Sequence, residues 1–441
     1  MVYDRNRQSR RFPDGALRAT MMQGVDNNPN ETMSLADILD ASSLCQALVS
    51  SFLLDEEWLL GHFRRDTPVT LVTNPSSAGD ASSPSAGDSK HAAPVQYKRG
   101  IHTWIHPEFP KPSCQIMHSK LMLLFHSHHM RFVASSANLI PDDWALMQNA
   151  VFLQDFPMDR GKVFPANEFG LSLAYALHDL SVPFDVIALL NSVDFSAARV
   201  RIVTTVPTGG VRRNMNMASY GMERLAAIVS PRCTDQADFQ PSARLFCAGS
   251  SLGRMDTKWL RDFYLCAHGL VIAELSLGAR ERLASDDTID IGIGFHTQEE
   301  VENCRYGAKC KAYLMMSSDV YEGKNAQFPR SSLCRVVPRV SDSLVHAKLV
   351  VARFGVDQNK GWVYIGSHNF TPAAWGRLSV GHATYFNNYE FGVVLPDTQY
   401  TRVTTEEATV AWNARNVPLP FKLIWQPYAR DDVPFLSQHV T

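Results

Sequence analysis

Two histidine–lysine pairs are the residues of this chain best suited to chemistry: His118 and Lys120 in MHSKLMLLF, and His346 and Lys348 in VHAKLVVARF. Each pair falls in a predicted apolar strand. A second predicted strand follows and ends at an asparagine, Asn138 in RFVASSANLIPDDW and Asn369 in WVYIGSHNFTPAAW. A tryptophan comes six residues after each asparagine, at Trp144 and Trp375, and the lysine-to-asparagine spacing is 18 residues in one copy and 21 in the other. Side chains two apart on a strand project from one face, so each histidine is expected to project together with its lysine. Burying a cationic pair on an apolar strand is costly unless an anion lies opposite. No Asp or Glu follows Lys120 within its strand, and a bound phosphate would meet that need. Either half of the pattern alone has an ordinary explanation: an edge strand with a snorkelling lysine, or an asparagine in turn chemistry. Both together, in the same order and twice in one chain, point to a duplicated site for a phosphoryl group.

Positioning two such sets requires two comparable units, and the chain supplies them. Strand-like CQIMHSKLMLLF, HMRFVASSAN and NAVFLQDF precede a helix-like EFGLSLAYALHDL. From about Ala197 a second block runs through RVRIVTTVP, a helix at MERLAAIV, a strand at ARLFCAGSS, a helix at MDTKWLRDFYLCA, and later strands at KAYLMMS, SLVHAKLVVARF, GWVYIGSHN and YEFGVVLP. Alternation of this kind predicts an α/β fold. The expected organisation is a loose arm over 1–31, a first domain over 32–195 and a second over 196–441. The Ser/Ala/Gly-rich stretch at 73–96 reads as a mobile insertion in the first domain. SLADILDASSLCQALVSSFLL reads as a helical run opening with a capping box at Ser34.

Composition bounds the rest. The chain has 441 residues, 45% hydrophobic and 20% charged, which excludes a disordered tail protein, a collagen and a coiled coil. A net charge of −2 excludes a uniformly basic coat, so a polyanion must be held in a local cleft. The eight cysteines form no Cys-x-x-Cys pair and read as reduced, mostly buried side chains. No secretory leader or membrane span is expected, and the Arg-rich start reads as a solvated tail. His-Glu-x-x-His, an Asp-rich metal loop and a Walker A sequence are all missing, and His126, His128 and His129 read as a solvated turn. Two lysines and two amides can do a metal's electrostatic work, so no cofactor is expected.

The duplicated pattern resembles the phospholipase D superfamily, whose members mostly carry an Asp five residues after the lysine. Here those positions hold Phe125 and Arg353. The branch that lacks this Asp and uses Asn with a downstream Glu is the tyrosyl-DNA phosphodiesterase family. SANLIPDDW, NFTPAAWG, YEFGVVLP, SSLGRMDTKWL and LPFKLIWQPYARDDVPF all resemble segments of that family, covering the chain from about Leu35 onward. The resemblance implies two phospholipase D-like α-β-α sandwich domains related by a pseudo-two-fold, with one active site between them. It further implies hydrolysis of the 3′-phosphodiester between DNA and tyrosine through a phosphohistidine, leaving a 3′-phosphate, in DNA repair in the nucleus.

By motif order, His118 would be the nucleophile and His346 the acid and base. Lys120, Lys348, Asn138 and Asn369 would hold the phosphoryl oxygens, and Glu390 would orient a histidine. The family's remaining orienting Gln, 11 residues past the first asparagine, falls on Asn149, with Gln148 beside it. Cys114 stands where relatives place an aromatic that stacks a base. Ser250, Ser251 and Lys258 would contact DNA. Expected partners are DNA 3′ ends, single-stranded, nicked or duplex, with no membrane contact and a monomeric chain. The rival readings are another lipid- or nucleic-acid-cleaving member of the superfamily, and a non-catalytic DNA-end-binding module.

Overall fold

The computed structural model describes residues 11–75, 93–111, 114–208, 219–230, 244–272, 289–323, 327–354, 360–378, 384–395 and 418–437. In chain order, the strands of the first half are β1 (Ala16–Thr20), β2 (Thr32–Met33), β3 (Leu44–Ser50), β4 (Val69–Val72), β5 (Val95–Arg99), β6 (His102–His106), β7 (Ile116–Met117), β8 (Leu121–His126), β9 (His129–Ser135), β10 (Met147–Gln148) and β11 (Ala150–Pro157). All but β7 and β10 join one nine-stranded mixed sheet in the order β2-β1-β11-β9-β8-β3-β4-β6-β5.

The second half contributes β12 (Arg201–Thr205), β13 (Arg244–Ala248), β14 (Ile291–Gly294), β15 (Leu333–Cys334), β16 (Val337–Pro338), β17 (Leu344–Val345), β18 (Lys348–Phe354), β19 (Lys360–Gly366), β20 (Arg377–Leu378), β21 (Thr384–Tyr385) and β22 (Asn388–Leu395). Its main sheet runs β12-β22-β19-β18-β13-β14-β15. Helices Glu168–Asp179, Gly221–Val229 and Thr257–Ala267 pack on the sheets through their buried faces.

One apolar core belongs to both halves. Phe132 and Phe152 from the first sheet, Phe169 from helix Glu168–Asp179, and Ile365, Phe391 and Val393 from the second sheet form a single buried cluster. The rings of Phe132 and Phe391 meet across it at 5.9 Å. Burying a Phe side chain contributes about 1.5–3 kcal/mol, so this face is not one the halves would leave open to solvent. Each half also carries a separate outer core.

Two short strands stitch the halves together. β7 leaves the first half to pair in parallel with β22, Met117 opposite Tyr389. β17 leaves the second half to pair in parallel with β10, Val345 opposite Gln148. The sequence reading placed each His-x-Lys inside a continuous strand, and here the structure differs. The histidine marks the point where the chain crosses from the other half's strand back into its own sheet, at β8 and β18 respectively.

Other expectations also change. The loose arm over 1–31 is ordered from Arg11: β1 pairs antiparallel with β11, and the backbone N–H groups of Arg11 and Phe12 donate to Asp155 Oδ2 at 2.8 and 3.0 Å. Asp155 is itself held by the buried Arg131 through two N–H donors at 2.6 and 3.0 Å. The helical run from Ser34 keeps its capping box but ends at Leu39, where Asp40 adopts the left-handed conformation at φ 43°; LCQALVS is then β3. KAYLMMS is a 3-10 turn at Lys311–Tyr313 and a single bridge from Met315 to Ser251, with no strand.

His126 and His129 are buried and stacked at 4.3 Å, because β8 and β9 carry both into the sheet, and only His128 of that cluster is exposed. Within the insertion expected at 73–96, residues 76–92 lie outside the described residues and Val95 already begins β5. Of the cysteines, Cys247, Cys266, Cys310 and Cys334 are buried, Cys304 is half-buried and Cys45 and Cys114 are exposed. All seven are free thiols, and Cys233 lies outside the described residues.

Candidate active site

The crossing strands set the two histidines in matching backbone positions. The parallel pairing of β7 with β22 continues for one more bond, from His118 N–H to Tyr389 O at 2.9 Å. The pairing of β17 with β10 continues in the same way, from His346 N–H to Gln148 O at 2.9 Å. The residue that follows the acceptor is therefore brought to each histidine: Glu390 to His118 and Asn149 to His346. Each histidine meets a residue of the opposite half.

At the first histidine the contact is complete. His118 Nδ1 lies 2.8 Å from Glu390 Oε2. Glu390 also accepts from Ser367 Oγ and from Asn388 Nδ2, the latter at 2.8 Å. Burial raises the Glu390 carboxyl, but His118 and its hydrogen bond outweigh that and bring it to about 2. Burial lowers His118 to about 4, against the pull of Glu390. At neutral pH the pair is therefore a carboxylate accepting from a neutral imidazole. The proton occupies Nδ1, and Nε2 keeps its lone pair and makes no hydrogen bond to the described residues.

At the second histidine the expected partner does not reach. Asn149 is fully buried, but its Oδ1 accepts from Ser136 Oγ at 2.9 Å and its Nδ2 donates to Asp143 O at 3.1 Å. Gln148 is committed to the seam, donating to Ser343 Oγ at 2.5 Å and accepting from Val340 N–H at 3.2 Å. The group that meets His346 Nδ1 is Asp143, with Oδ1 at 3.1 Å and an approach off the hydrogen-bond line. Its Oδ2 accepts from Asn138 N–H. Asp143 stands in the quoted motif SANLIPDDW, but an Asp in the first turn of a helix after Pro141 reads as helix-dipole complementation, so nothing in its local pattern singles it out.

The two lysines lie close enough to act on each other's charge. Lys120 Nζ donates to His118 O at 2.8 Å, and Lys348 Nζ donates to His346 O at 2.6 Å and lies 3.0 Å from His346 Nε2. Burial lowers Lys120 to about 8, and lowers Lys348 well below the ordinary lysine range with Lys120 adding to the effect. Both asparagines are fixed through Oδ1. Asn138 accepts from Leu53 N–H at 3.3 Å, and Asn369 accepts from Ser250 N–H, Ser250 Oγ and Ser251 N–H at 3.1, 3.2 and 3.1 Å. Each Nδ2 has no acceptor among the described residues. The loop carrying Asn369 is anchored by Tyr364, whose hydroxyl meets His368 in space left by Gly366 and Gly392, which face each other across β19 and β22.

The DNA-contact expectations fare differently. Ser250 is buried with both its N–H and its hydroxyl spent on Asn369, and Ser251 spends its N–H there too, so of the donors expected to meet a phosphate only the Ser251 hydroxyl is not committed to Asn369. Lys258 is 73% exposed in its side chain and pairs with Asp262 one helical turn on, a surface pair worth about 0.3–0.5 kcal/mol. Cys114 is exposed. The sequence reading passed over Phe52, whose ring lies 5.2 Å from the His118 ring and under Lys120 Nζ at 5.9 Å. It also passed over Tyr313, 6.0 Å from the His346 ring and donating to Asp142 at 2.9 Å. Neither carries a local sequence signal, since both are brought to the site by loops of other elements. Among the described residues no group of three or more His, Cys, Asp or Glu is arranged to hold a metal ion, and no helix is long and apolar enough to cross a membrane.

Two like α/β sheets with a His–Lys–Asn set from each at their seam define a phosphoryl-transfer site of the phospholipase D class. The family model for tyrosyl-DNA phosphodiesterase matches residues 16–429, and the chain belongs to that family. It is 23% identical to tyrosyl-DNA phosphodiesterase 1 of Arabidopsis thaliana over 490 residues, covering 97% of this chain and 76% of that protein. It is 25% identical to tyrosyl-DNA phosphodiesterase 1 of Drosophila melanogaster, covering 94% and 73%. The fold is that of the yeast tyrosyl-DNA phosphodiesterase crystal structure, at a TM-score of 0.68 and 16% identity over 96% of this chain and 100% of that one.

Proposed function

We propose that the protein hydrolyses the phosphodiester joining a DNA 3′ end to tyrosine, acting in DNA repair in the nucleus and working as a monomer. One observation carries the assignment of roles: His118 Nε2 is unengaged while Glu390 holds the Nδ1 proton, whereas His346 Nε2 faces a proton donor, Lys348 Nζ, at 3.0 Å. The first arrangement suits a nucleophile and the second suits a group that gives and takes a proton.

In the first step the Nε2 lone pair of His118 attacks phosphorus. The bond from phosphorus to the tyrosine oxygen breaks, and that oxygen takes a proton from His346. In the second step His346 removes a proton from water, the water oxygen attacks phosphorus, and the phosphorus–nitrogen bond breaks. This restores neutral His118 and leaves a 3′-phosphate. Lys120, Lys348 and the free Nδ2 donors of Asn138 and Asn369 stabilise the charge on the non-bridging oxygens, each such donor being worth about 3–4 kcal/mol. Before substrate binds, Glu390 and Asp143 face the two lysines. A phosphodiester adds one negative charge to this buried cluster and so favours protonation of His346, whose burial otherwise lowers it to about 4. Phe52 supplies the packing surface for the terminal nucleotide that Cys114 cannot.

The test is release of tyrosine from a 3′-phosphotyrosyl oligonucleotide in EDTA, with a phosphatidylcholine substrate in parallel. Tyrosine release with a 3′-phosphate product is expected. No cleavage of the oligonucleotide, or turnover of the lipid instead, overturns the proposal.

A further inference from the structure

Glu390 and Asn149 occupy matching places in the two halves. Each follows the residue whose carbonyl receives the opposing histidine's N–H, and each accepts from the serine two residues before the site asparagine, Ser367 and Ser136 respectively. Glu390 reaches across the seam to its histidine, whereas the shorter Asn149 turns back to its own half. The vacant reach is filled from another element. Asp143, on the helical turn Pro141–Ala145, is 0% exposed and places Oδ1 3.1 Å from His346 Nδ1. The corresponding residue of the second half, five after Asn369 in the turn Pro372–Trp375, is Ala374, which carries no polar group. So the half whose strand supplies a carboxylate has none in its turn, and the half whose turn supplies one has only an amide in its strand.

We propose that Asp143 is the positioning residue of His346, holding the ring with its proton on Nδ1 and Nε2 toward Lys348, and that Asn149 acts one step removed by gripping the Asp143 carbonyl. The inference rests on the reading of His346 as the acid and base. A buried carboxylate whose only other hydrogen bond among the described residues is one backbone N–H needs a second partner to offset its desolvation, and the imidazole Nδ1–H is a donor in reach. The other groups facing His346 are Lys348 and Lys120 and the ring of Tyr313, and the backbone N–H of the preceding Val345 donates to His296 Nε2 at 2.9 Å.

The test measures adduct formation and adduct hydrolysis separately in single turnovers for wild type, Asp143→Asn, Asn149→Gln, the double variant and His346→Ala. Asp143→Asn keeps an oxygen for Asn138 N–H but removes the charge. A loss of about 10–100-fold in adduct hydrolysis is expected. Adduct formation should fall similarly with tyrosine as leaving group but much less with 4-nitrophenolate, which leaves without a proton. Its alkaline limb should move to lower pH, because His346 loses its protonated form earlier without the carboxylate. Adding Asn149→Gln should restore part of the rate, since the longer amide reaches the ring.

Rates and pH limbs of Asp143→Asn within twofold of wild type, while His346→Ala is slow, overturn the Asp143 proposal alone. A His346→Ala variant as fast as wild type overturns it together with the assigned roles. Nitrogen-15 shifts of the resting wild-type protein give an independent readout that needs no variant to fold: protonation of His346 on Nδ1 is expected, and protonation on Nε2 alone contradicts the proposal.

Discussion

The two half-sites share a backbone and differ in their protons. His118 and His346 are reached by the same parallel crossing and make the same hydrogen bond to the opposite half, both at 2.9 Å. Beyond that bond the halves diverge. A glutamate on the neighbouring strand meets His118 and leaves Nε2 open, while an aspartate from a helical turn meets His346 and a lysine faces its Nε2. In the proposed reading, the duplicated fold provides two equivalent places for an imidazole, and a few side chains around each decide whether it attacks phosphorus or handles protons. Because each histidine is oriented from the other half, neither half holds a complete site by itself.

Breaking the first half-site is expected to have the largest effect. His118→Ala removes the proposed nucleophile and should lower kcat for 3′-phosphotyrosyl DNA by about 10³-fold or more, measured by tyrosine release. A loss under tenfold would assign the attack elsewhere. Glu390→Gln keeps the shape but not the charge, and should slow adduct formation by about 10–100-fold. Adduct hydrolysis should change less, and equal losses in both steps would remove the distinction between the halves.

The lysines give a pH signature. Lys120 is charged below about 8 and neutral above it in the free protein, so kcat/KM should fall as pH rises through about 8. The limb in kcat should lie higher, because bound phosphate stabilises the ammonium. A flat kcat/KM from pH 7 to 9.5 would contradict this. Binding of a non-cleavable phosphodiester should take up close to one proton at neutral pH, read from calorimetry in buffers of different ionisation enthalpy, and no uptake would place the His346 proton elsewhere.

The smallest effects should lie outside the crossing. Ser250→Ala removes one of three bonds holding Asn369 and should lower kcat by less than about tenfold, one such bond being worth about 0.5–1.5 kcal/mol. Lys258→Ala should leave activity within twofold at moderate salt, and a larger loss of DNA affinity would return the outer face of this helix to the DNA surface.

What the sequence revealed of this site follows from how unusual each residue is where it stands. Histidine and lysine two apart in an apolar run, repeated with an asparagine, need an anion, and that need is visible without a partner strand. The crossing at each histidine is not visible, because which strand Ile116–Met117 joins depends on β22, far along the chain. β1 was unreadable for the same reason: ALRAT is short and gains its structure from pairing with β11. Counting along the family pattern led to Asn149, which does stand at the expected place in the register, but its side chain turns back to Asp143 O and the carboxylate nearest His346 Nδ1 is that of Asp143. The serines stand in SSLGRMDTKWL, which resembles the family's DNA-contacting segment, and only the side-chain geometry shows both backbone N–H groups and the Ser250 hydroxyl spent on Asn369.

The central claim is that the two histidines divide one hydrolysis between them. It is tested most directly by quenching a single turnover of His346→Ala on 3′-phosphotyrosyl DNA and mapping the trapped product by peptide mass spectrometry. The expected result is an acid-labile oligonucleotide adduct on Nε2 of His118 that persists after the wild-type adduct has been hydrolysed. Release of tyrosine with no adduct, or an adduct on any other residue, contradicts it.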